Sequence, residues 1–245
     1  MTVTWLSPGA PDQRTGGYLW NARIAAELRA SGTEVEVIAV DGRWPMPGVA
    51  DPAPLAAIPD GAVVVADGLL WPGLGAAGAA LAARCRVVVV VHSLLARENG
   101  PAARPLGGAA PAGIDAIERR SWTGVKALIA TSDATAAEIA ADTVSSAAIP
   151  VTVVVPGTAP APRATGGDGR TVLVVGTLTR RKGHDRVLDA LAAVTAPWTL
   201  VCAGGPRDPA WAAELRAHAD RLGIGPRVRW TGELDDAGVD LSLIH

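Results

Sequence analysis

Thr171-Val-Leu-Val-Val-Gly176 runs through Thr-Leu-Thr-Arg180-Arg181-Lys182-Gly183 into His184-Asp-Arg-Val-Leu-Asp-Ala-Leu-Ala-Ala-Val194. A β-branched run enters a loop dense in cations, and a stretch with helical apolar spacing follows at once. Strand, turn and helix in that order form the repeating unit of a parallel sheet covered by helices. The unit recurs downstream as strand Trp198–Ala203, helix Pro209–Leu222 and strand Arg227–Trp230. Upstream, strands are predicted at Val3–Leu6, Glu34–Val40, Ala62–Ala66, Arg86–His92, Lys126–Thr131 and Val151–Val155. Helices alternate with them. In Tyr18–Ala30, Leu19, Ile24 and Leu28 share a face, and Ser31-Gly32 stops the helix. An alanine-rich helix surrounds Gly75–Arg84, and another spans Ile114–Trp122. Ser132 can cap a further helix running to about Asp142, because its hydroxyl can accept from a first-turn amide.

Periodicity disappears between Pro156 and Arg170, where Gly, Pro, Ala and Thr dominate. This is read as a linker. The organisation is therefore an α/β chain of two Rossmann-like domains: residues 1–157, a linker at 158–170, and residues 171–245. The second domain has three strands where a doubly wound sheet normally has five or more, so it is expected to be incomplete. Ligands of such sheets sit beyond the carboxyl ends of the strands, in the cleft expected between the two halves.

Composition bounds the function. The 245 residues are 49% hydrophobic and 19% charged, which supports a packed core and excludes a disordered chain. A formal net charge of −2 gives no bulk attraction for nucleic acid or an anionic membrane. Cys85 and Cys202 lie in apolar runs and form neither a disulfide framework nor a zinc spacing, so buried thiols are expected. Met1–Leu6 lacks a signal-peptide pattern, and Val87–Val91 is too short to be a transmembrane segment. The expected location is cytoplasmic, with peripheral attachment to a membrane left open.

Several positions are candidates for chemistry. Gly16-Gly17 stand directly before a helix, where glycine lets backbone amides approach a phosphate; a tight turn would use them as well. His92 ends a strand and could bond a hydroxyl or a phosphate, or be structural. Arg97-Glu98 could line the same rim or be a solvated pair. Arg180, Arg181 and Lys182 place three positive groups beside a helix start, a site for a diphosphate. Lys182 is one of only two lysines, the other being Lys126, which argues against mere solvated surface. Gly176, Gly204-Gly205 and Gly232 end successive strands and would admit a flat ligand or simply turn the chain.

Missing motifs narrow the classes. No G-x-G-x-x-G follows the first strand, which argues against an NAD-dependent oxidoreductase. No G-x-S-x-G elbow and no P-loop occur. Asp235-Asp236 are adjacent, not the spaced carboxylate pair that holds a divalent metal, so no metal ligand is nominated.

Taken together the segments resemble the family-4 glycosyltransferases of the GT-B fold, the retaining class that uses nucleotide sugars. Gly16-Gly17-Tyr18 and Ser31-Gly32-Thr33-Glu34-Val35-Glu36-Val37 look like the family's opening loop, helix end and second strand. Val91-His92-Ser93, Ala130-Thr131-Ser132 and Val154-Val155-Pro156-Gly157-Thr158 match later segments in order. Val175-Gly176 through Lys182-Gly183-His184-Asp185, with Leu188-Asp-Ala-Leu191, is the strongest piece, and Ala203-Gly204-Gly205 and Val228-Arg-Trp-Thr-Gly232 continue it. The resemblance implies sugar transfer from a nucleotide-diphosphate sugar to an unidentified acceptor (a sugar, lipid or small molecule), with retention and without metal or cofactor. It implies catalytic roles for His92, Arg181 and Lys182. It implies donor binding by Gly16, Gly17, Gly176, Arg180, Arg181, Lys182, Gly204, Gly205 and Gly232. Thr177 stands where many members have arginine, a place Arg180 or Arg181 would fill. The family's paired-glutamate segment is expected shortly after Asp236 and is not reached before Leu241-Ser-Leu-Ile-His245. The resemblance therefore implies a chain truncated in its second domain, inactive in transfer by itself. The alternative is a catalytically inactive fragment that binds sugar nucleotides.

Overall fold

The computed structural model of the chain describes residues 2–9, 15–42, 44–45, 52–98, 113–141, 149–157, 160 and 169–234. Asp235-Asp236, the Leu241–His245 ending and most of the linker lie outside them. The chain divides into two compact units that part between Gly157 and Thr158.

Unit 1 contains strands β1 (Thr2–Pro8), β2 (Glu34–Val40), β3 (Val63–Asp67), β4 (Arg86–Val91), β5 (Ala127–Ala130) and β6 (Val151–Val153). Its helices are α1 (Gly16–Ala30), α2 (Ala53–Ala56), α3 (Gly75–Arg84), α4 (Leu95–Glu98), α5 (Ile114–Ser121) and α6 (Asp133–Ala140). The strands form one parallel sheet in the order β2-β1-β3-β4-β5-β6. Both faces are covered, and that explains the unbroken valines of β4. Val87, Val89 and Val91 enter the core shared with Leu81 of α3 and Ile139 of α6. Val90 points the other way, into the core that Val3, Trp5, Val35 and Val65 share with Trp20 and Ala25 of α1. Successive side chains of a strand alternate faces, so a strand buried on both must be apolar throughout. Ser132 caps α6 as expected, accepting from Thr135 N at 3.1 Å.

Unit 2 contains β7 (Thr171–Val175), α7 (His184–Ala192), β8 (Thr199–Ala203), α8 (Pro209–Arg221) and β9 (Val228–Gly232). The three strands pair in parallel in that order. Leu188 of α7 and Trp211, Ala212, Leu215 and Ala219 of α8 pack with Trp198, Leu200 and Cys202 in one core. Asp208 caps α8 by accepting from Trp211 N at 2.9 Å, and Pro209 takes the first helical position, where no amide hydrogen is required. Both cysteines are buried free thiols, and burial pushes Cys202 up to about 11.

Sequence reading misses α2, α4 and a 3-10 turn at Trp71–Leu74. These are one-turn segments, and two of them carry proline in the first turn. Such pieces are too short for apolar periodicity to register.

Candidate functional site

In unit 2 the predicted glycines gather at the carboxyl edge of the sheet. Gly176 N donates to Ala203 O and Gly204 N to Gly232 O, both at 2.8 Å, and Leu178 N donates to Gly205 O at 3.0 Å. Gly204 is dictated by contact: a Cβ there would lie 2.0 Å from the Gly176 carbonyl oxygen. The Glu233 carboxylate reaches within 3.2 Å of the Cβ position of Gly205.

From this edge the chain passes Thr179, extended, into a 3-10 turn at Arg180–Lys182. Gly183 closes the turn at φ 67°, a left-handed conformation that side chains other than glycine adopt at a cost. Its carbonyl accepts from Arg186 N and Val187 N, starting α7. The turn folds Lys182 back over the sheet edge, with its Cδ 3.4 Å from the Cβ position of Gly176. The lysine stem lies on the glycine while the residue stays exposed. Arg181 is exposed beside it.

Arg180 turns toward α8. Its guanidinium lies 3.8 Å from the centroid of the Trp211 ring and donates to Glu214 Oε2 at 2.6 Å. These contacts hold its guanidinium on α8, whereas Arg181 and Lys182 are exposed. Arg97 pairs with Glu138 of α6 at 2.5 Å; the side chain of Glu98 lies outside the described residues.

In unit 1, His92 follows β4 at the carboxyl edge of its sheet, next to where the strand order reverses between β1 and β3. Open α/β sheets bind ligands at such reversals. The structure surrounds the ring with residues that sequence reading did not nominate. His92 Nε2 lies 3.2 Å from Asn21 Oδ1 and 3.6 Å from Asp67 Oδ2. Asn21 Nδ2 donates to Asp67 Oδ2 at 2.5 Å, and Leu69 N donates to Asp67 Oδ1 at 2.8 Å. Trp20 meets the imidazole edge-on, centroids 5.4 Å apart at 83°. Thr131 Oγ1 donates to the His92 carbonyl at 3.2 Å. Asp67 and Asn21 are buried, at 3% and 6% exposure, whereas the His92 side chain keeps 24%. The sequence carries one cue: Asp67 is a carboxylate directly after the five apolar residues Ala62–Ala66, at a strand terminus.

Gly17 is part of this cluster. A Cβ on it would stand 3.2 Å from His92 Cδ2 and 3.4 Å from Nε2, whereas Gly16 has open space. α1 starts at Gly16 after an extended Thr15, without a side-chain cap, so its positive end is not neutralised by its own cap residue.

Among the described residues no group of three or more His, Cys, Asp or Glu could hold a metal ion, and no helix is long and apolar enough to cross a membrane.

Solved structures share this fold. Sucrose-phosphate synthase from Thermosynechococcus elongatus superposes with a TM-score of 0.72 at 18% identity, over 96% of this chain and 71% of its own. Anabaena HepE in complex with UDP and glucose gives 0.69 at 18%, over 98% and 71%. WaaG, a glycosyltransferase involved in lipopolysaccharide biosynthesis, gives 0.66 at 17%, over 98% and 72%. No curated protein matches the chain as a sequence relative. Residues 159–242 match the family model described as Glycosyl transferases group 1, and the chain as a whole has the parallel α/β architecture of the GT-B glycosyltransferase structures it superposes on.

Proposed function

We propose that this chain binds a nucleotide-diphosphate sugar for transfer of the sugar to an acceptor hydroxyl, with retention at the anomeric carbon and without a metal ion. The observation that carries the reading is Lys182, folded over Gly176 at the carboxyl edge of unit 2, inside the segment that matches the group 1 family. HepE is seen with UDP and glucose, which favours a uridine diphosphate sugar as the first donor to test.

In the proposed reaction the bond between the anomeric carbon and the diphosphate oxygen breaks, and the acceptor oxygen bonds to that carbon. The acceptor proton leaves with the departing diphosphate. Negative charge grows on the diphosphate as the bond stretches. Lys182 and Arg181 compensate it in this reading, the kind of electrostatic help worth about 3 kcal/mol per donor. The close glycine edge of Gly176, Gly204 and Gly205 leaves room for the flat parts of the nucleotide. His92 serves a hydroxyl of the transferred sugar or of the acceptor.

The test is titration calorimetry with UDP, GDP and ADP, followed by transfer assays with the matching sugars in EDTA and a panel of sugar and lipid acceptors. The expected result is nucleoside-diphosphate binding; any turnover that accompanies it should resist EDTA and give a product of unchanged anomeric configuration. Binding without turnover would leave a nucleotide-sugar-binding module. No binding of any nucleoside diphosphate overturns the proposal.

A further inference from the structure

We propose that Asp67 and Asn21 lock the neutral His92 ring as its Nε2–H tautomer, so that Nδ1 faces ligands as a hydrogen-bond acceptor and selects a hydroxyl over a phosphate. The ligand half of this statement rests on the proposed sugar transfer; the tautomer half does not.

The chain of constraint begins at a buried carboxylate. Asp67, 3% exposed, can only accept hydrogen bonds in its ionised form. The atom that approaches its Oδ2 at 2.5 Å must therefore be the amide nitrogen of Asn21. That choice fixes the other end of the Asn21 carboxamide. Its oxygen, and not its nitrogen, faces His92 Nε2 at 3.2 Å. Nε2 then sees two acceptors, Asn21 Oδ1 and, at 3.6 Å, Asp67 Oδ2. A lone pair on Nε2 would oppose both oxygens, so the proton resides there, and a neutral imidazole carrying it leaves Nδ1 unprotonated.

Packing prevents the ring from turning out of this arrangement. Gly17 allows α1 to lie against the ring face, and Trp20 holds the ring edge-on. The Leu69 amide occupies the second oxygen of Asp67 and keeps the carboxylate from rotating. Asp67 and Asn21 are thus positioning residues. An acceptor nitrogen attracts the O–H of a sugar and meets a fully ionised phosphate, which offers only oxygen lone pairs, with repulsion.

Long-range nitrogen-15 NMR of the histidine rings at pH 9 reads the tautomer directly. Wild type is expected to show His92 as the Nε2–H form. In Asp67→Asn, and independently in Asn21→Ala, the share of the Nδ1–H form is expected to rise about fivefold, as loss of one hydrogen bond allows. A wild-type ring in the Nδ1–H form or in an even mixture overturns the lock, whether or not the variants fold. Unchanged tautomer ratios in both folded variants overturn it too. The ligand half is read by adding UDP, GDP or ADP and then the corresponding glucose conjugate to wild type. A shift at His92 Nδ1 with the sugar conjugate and not the diphosphate supports the hydroxyl role. An equal shift with the diphosphate alone, or no shift while a ligand binds, overturns it. Failure of every nucleotide to bind sinks the sugar-transfer reading and leaves the tautomer result standing.

Discussion

Arg180 stacks its guanidinium 3.8 Å from the centre of the Trp211 ring, tying the basic turn to α8. The same group donates to Glu214 Oε2 at 2.6 Å, with its side chain 26% exposed. A cation on an indole face contributes about 1 kcal/mol when partly exposed, and the half-exposed ion pair adds little. Arg180→Ala should therefore lower the stability of unit 2 by about 1 kcal/mol. Its effect on nucleoside-diphosphate affinity should stay within about twofold, since a charge held away from the ligand is largely screened. Chemical denaturation and calorimetry on the same variant separate the two outcomes. A large loss of affinity with unchanged stability would assign Arg180 to the donor site instead.

Lys182 should behave in the opposite way. Its stem crosses Gly176 and no core packing depends on its exposed end. Lys182→Ala is expected to weaken nucleoside-diphosphate binding by about tenfold or more, the scale of a charge-assisted contact, with the melting temperature unchanged. Lys126→Ala is the control, because Lys126 is exposed just before β5, at the opposite end of its strand from the carboxyl edge.

Gly16 and Gly17 look equivalent in sequence and are not equivalent in space. Alanine at either favours the helix by up to about 1 kcal/mol. At position 16 the new methyl meets nothing within 4 Å, while at position 17 it stands 3.2 Å from the His92 ring. Gly16→Ala should thus raise stability. Gly17→Ala should raise it less and displace the imidazole, which nitrogen-15 NMR of the His92 ring would register in this variant and not in Gly16→Ala.

Much of the fold is legible from the sequence because burial on both faces of a parallel sheet forces continuous β-branched runs, and Val87–Val91 is the plainest of them. The basic turn is legible for a related reason: three cations between a strand and a helix are conspicuous in a chain with 22 basic residues among 245. What each cation does is not legible. Nothing in Arg180-Arg181-Lys182 says that the first turns to an indole 31 positions later. The His92 cluster is hidden more deeply. Asn21 and Asp67 are 46 residues apart, and Asn21 and His92 are 71 apart. Only the β2-β1-β3-β4 strand order brings their elements together.

Gly204 should be among the least tolerant positions of unit 2. A methyl group 2.0 Å from the Gly176 oxygen cannot be accommodated without parting β7 from β8. Gly204→Ala is expected to cost about 3 kcal/mol. Gly205→Ala should cost far less, because its neighbour is the flexible end of Glu233. Thermal melts of the two variants side by side check the ordering.

His184 gives unit 2 a pH dependence. The residue opens α7 directly after the basic turn and is 1% exposed. Neither ring nitrogen has a hydrogen-bond partner among the described residues. Burial lowers its pKa from the ordinary 6.5; Asp185 opposes the shift and Lys182 adds to it. The folded state therefore holds His184 neutral at a pH where the unfolded chain already binds a proton. The contribution of the neutral ring is fully present above pH 6.5. It declines as pH falls below that value and stops declining once the folded-state pKa has been passed. Hydrogen exchange of the β8 amides, compared at pH 7.5 and pH 5.5 after correction for intrinsic rates, reports the opening free energy of unit 2. Wild type should lose protection at the lower pH. His184→Leu, which fills the same core position without a titrating group, should lose distinctly less. Equal losses in the two proteins would assign the acid sensitivity to other groups and leave the buried imidazole without influence on it.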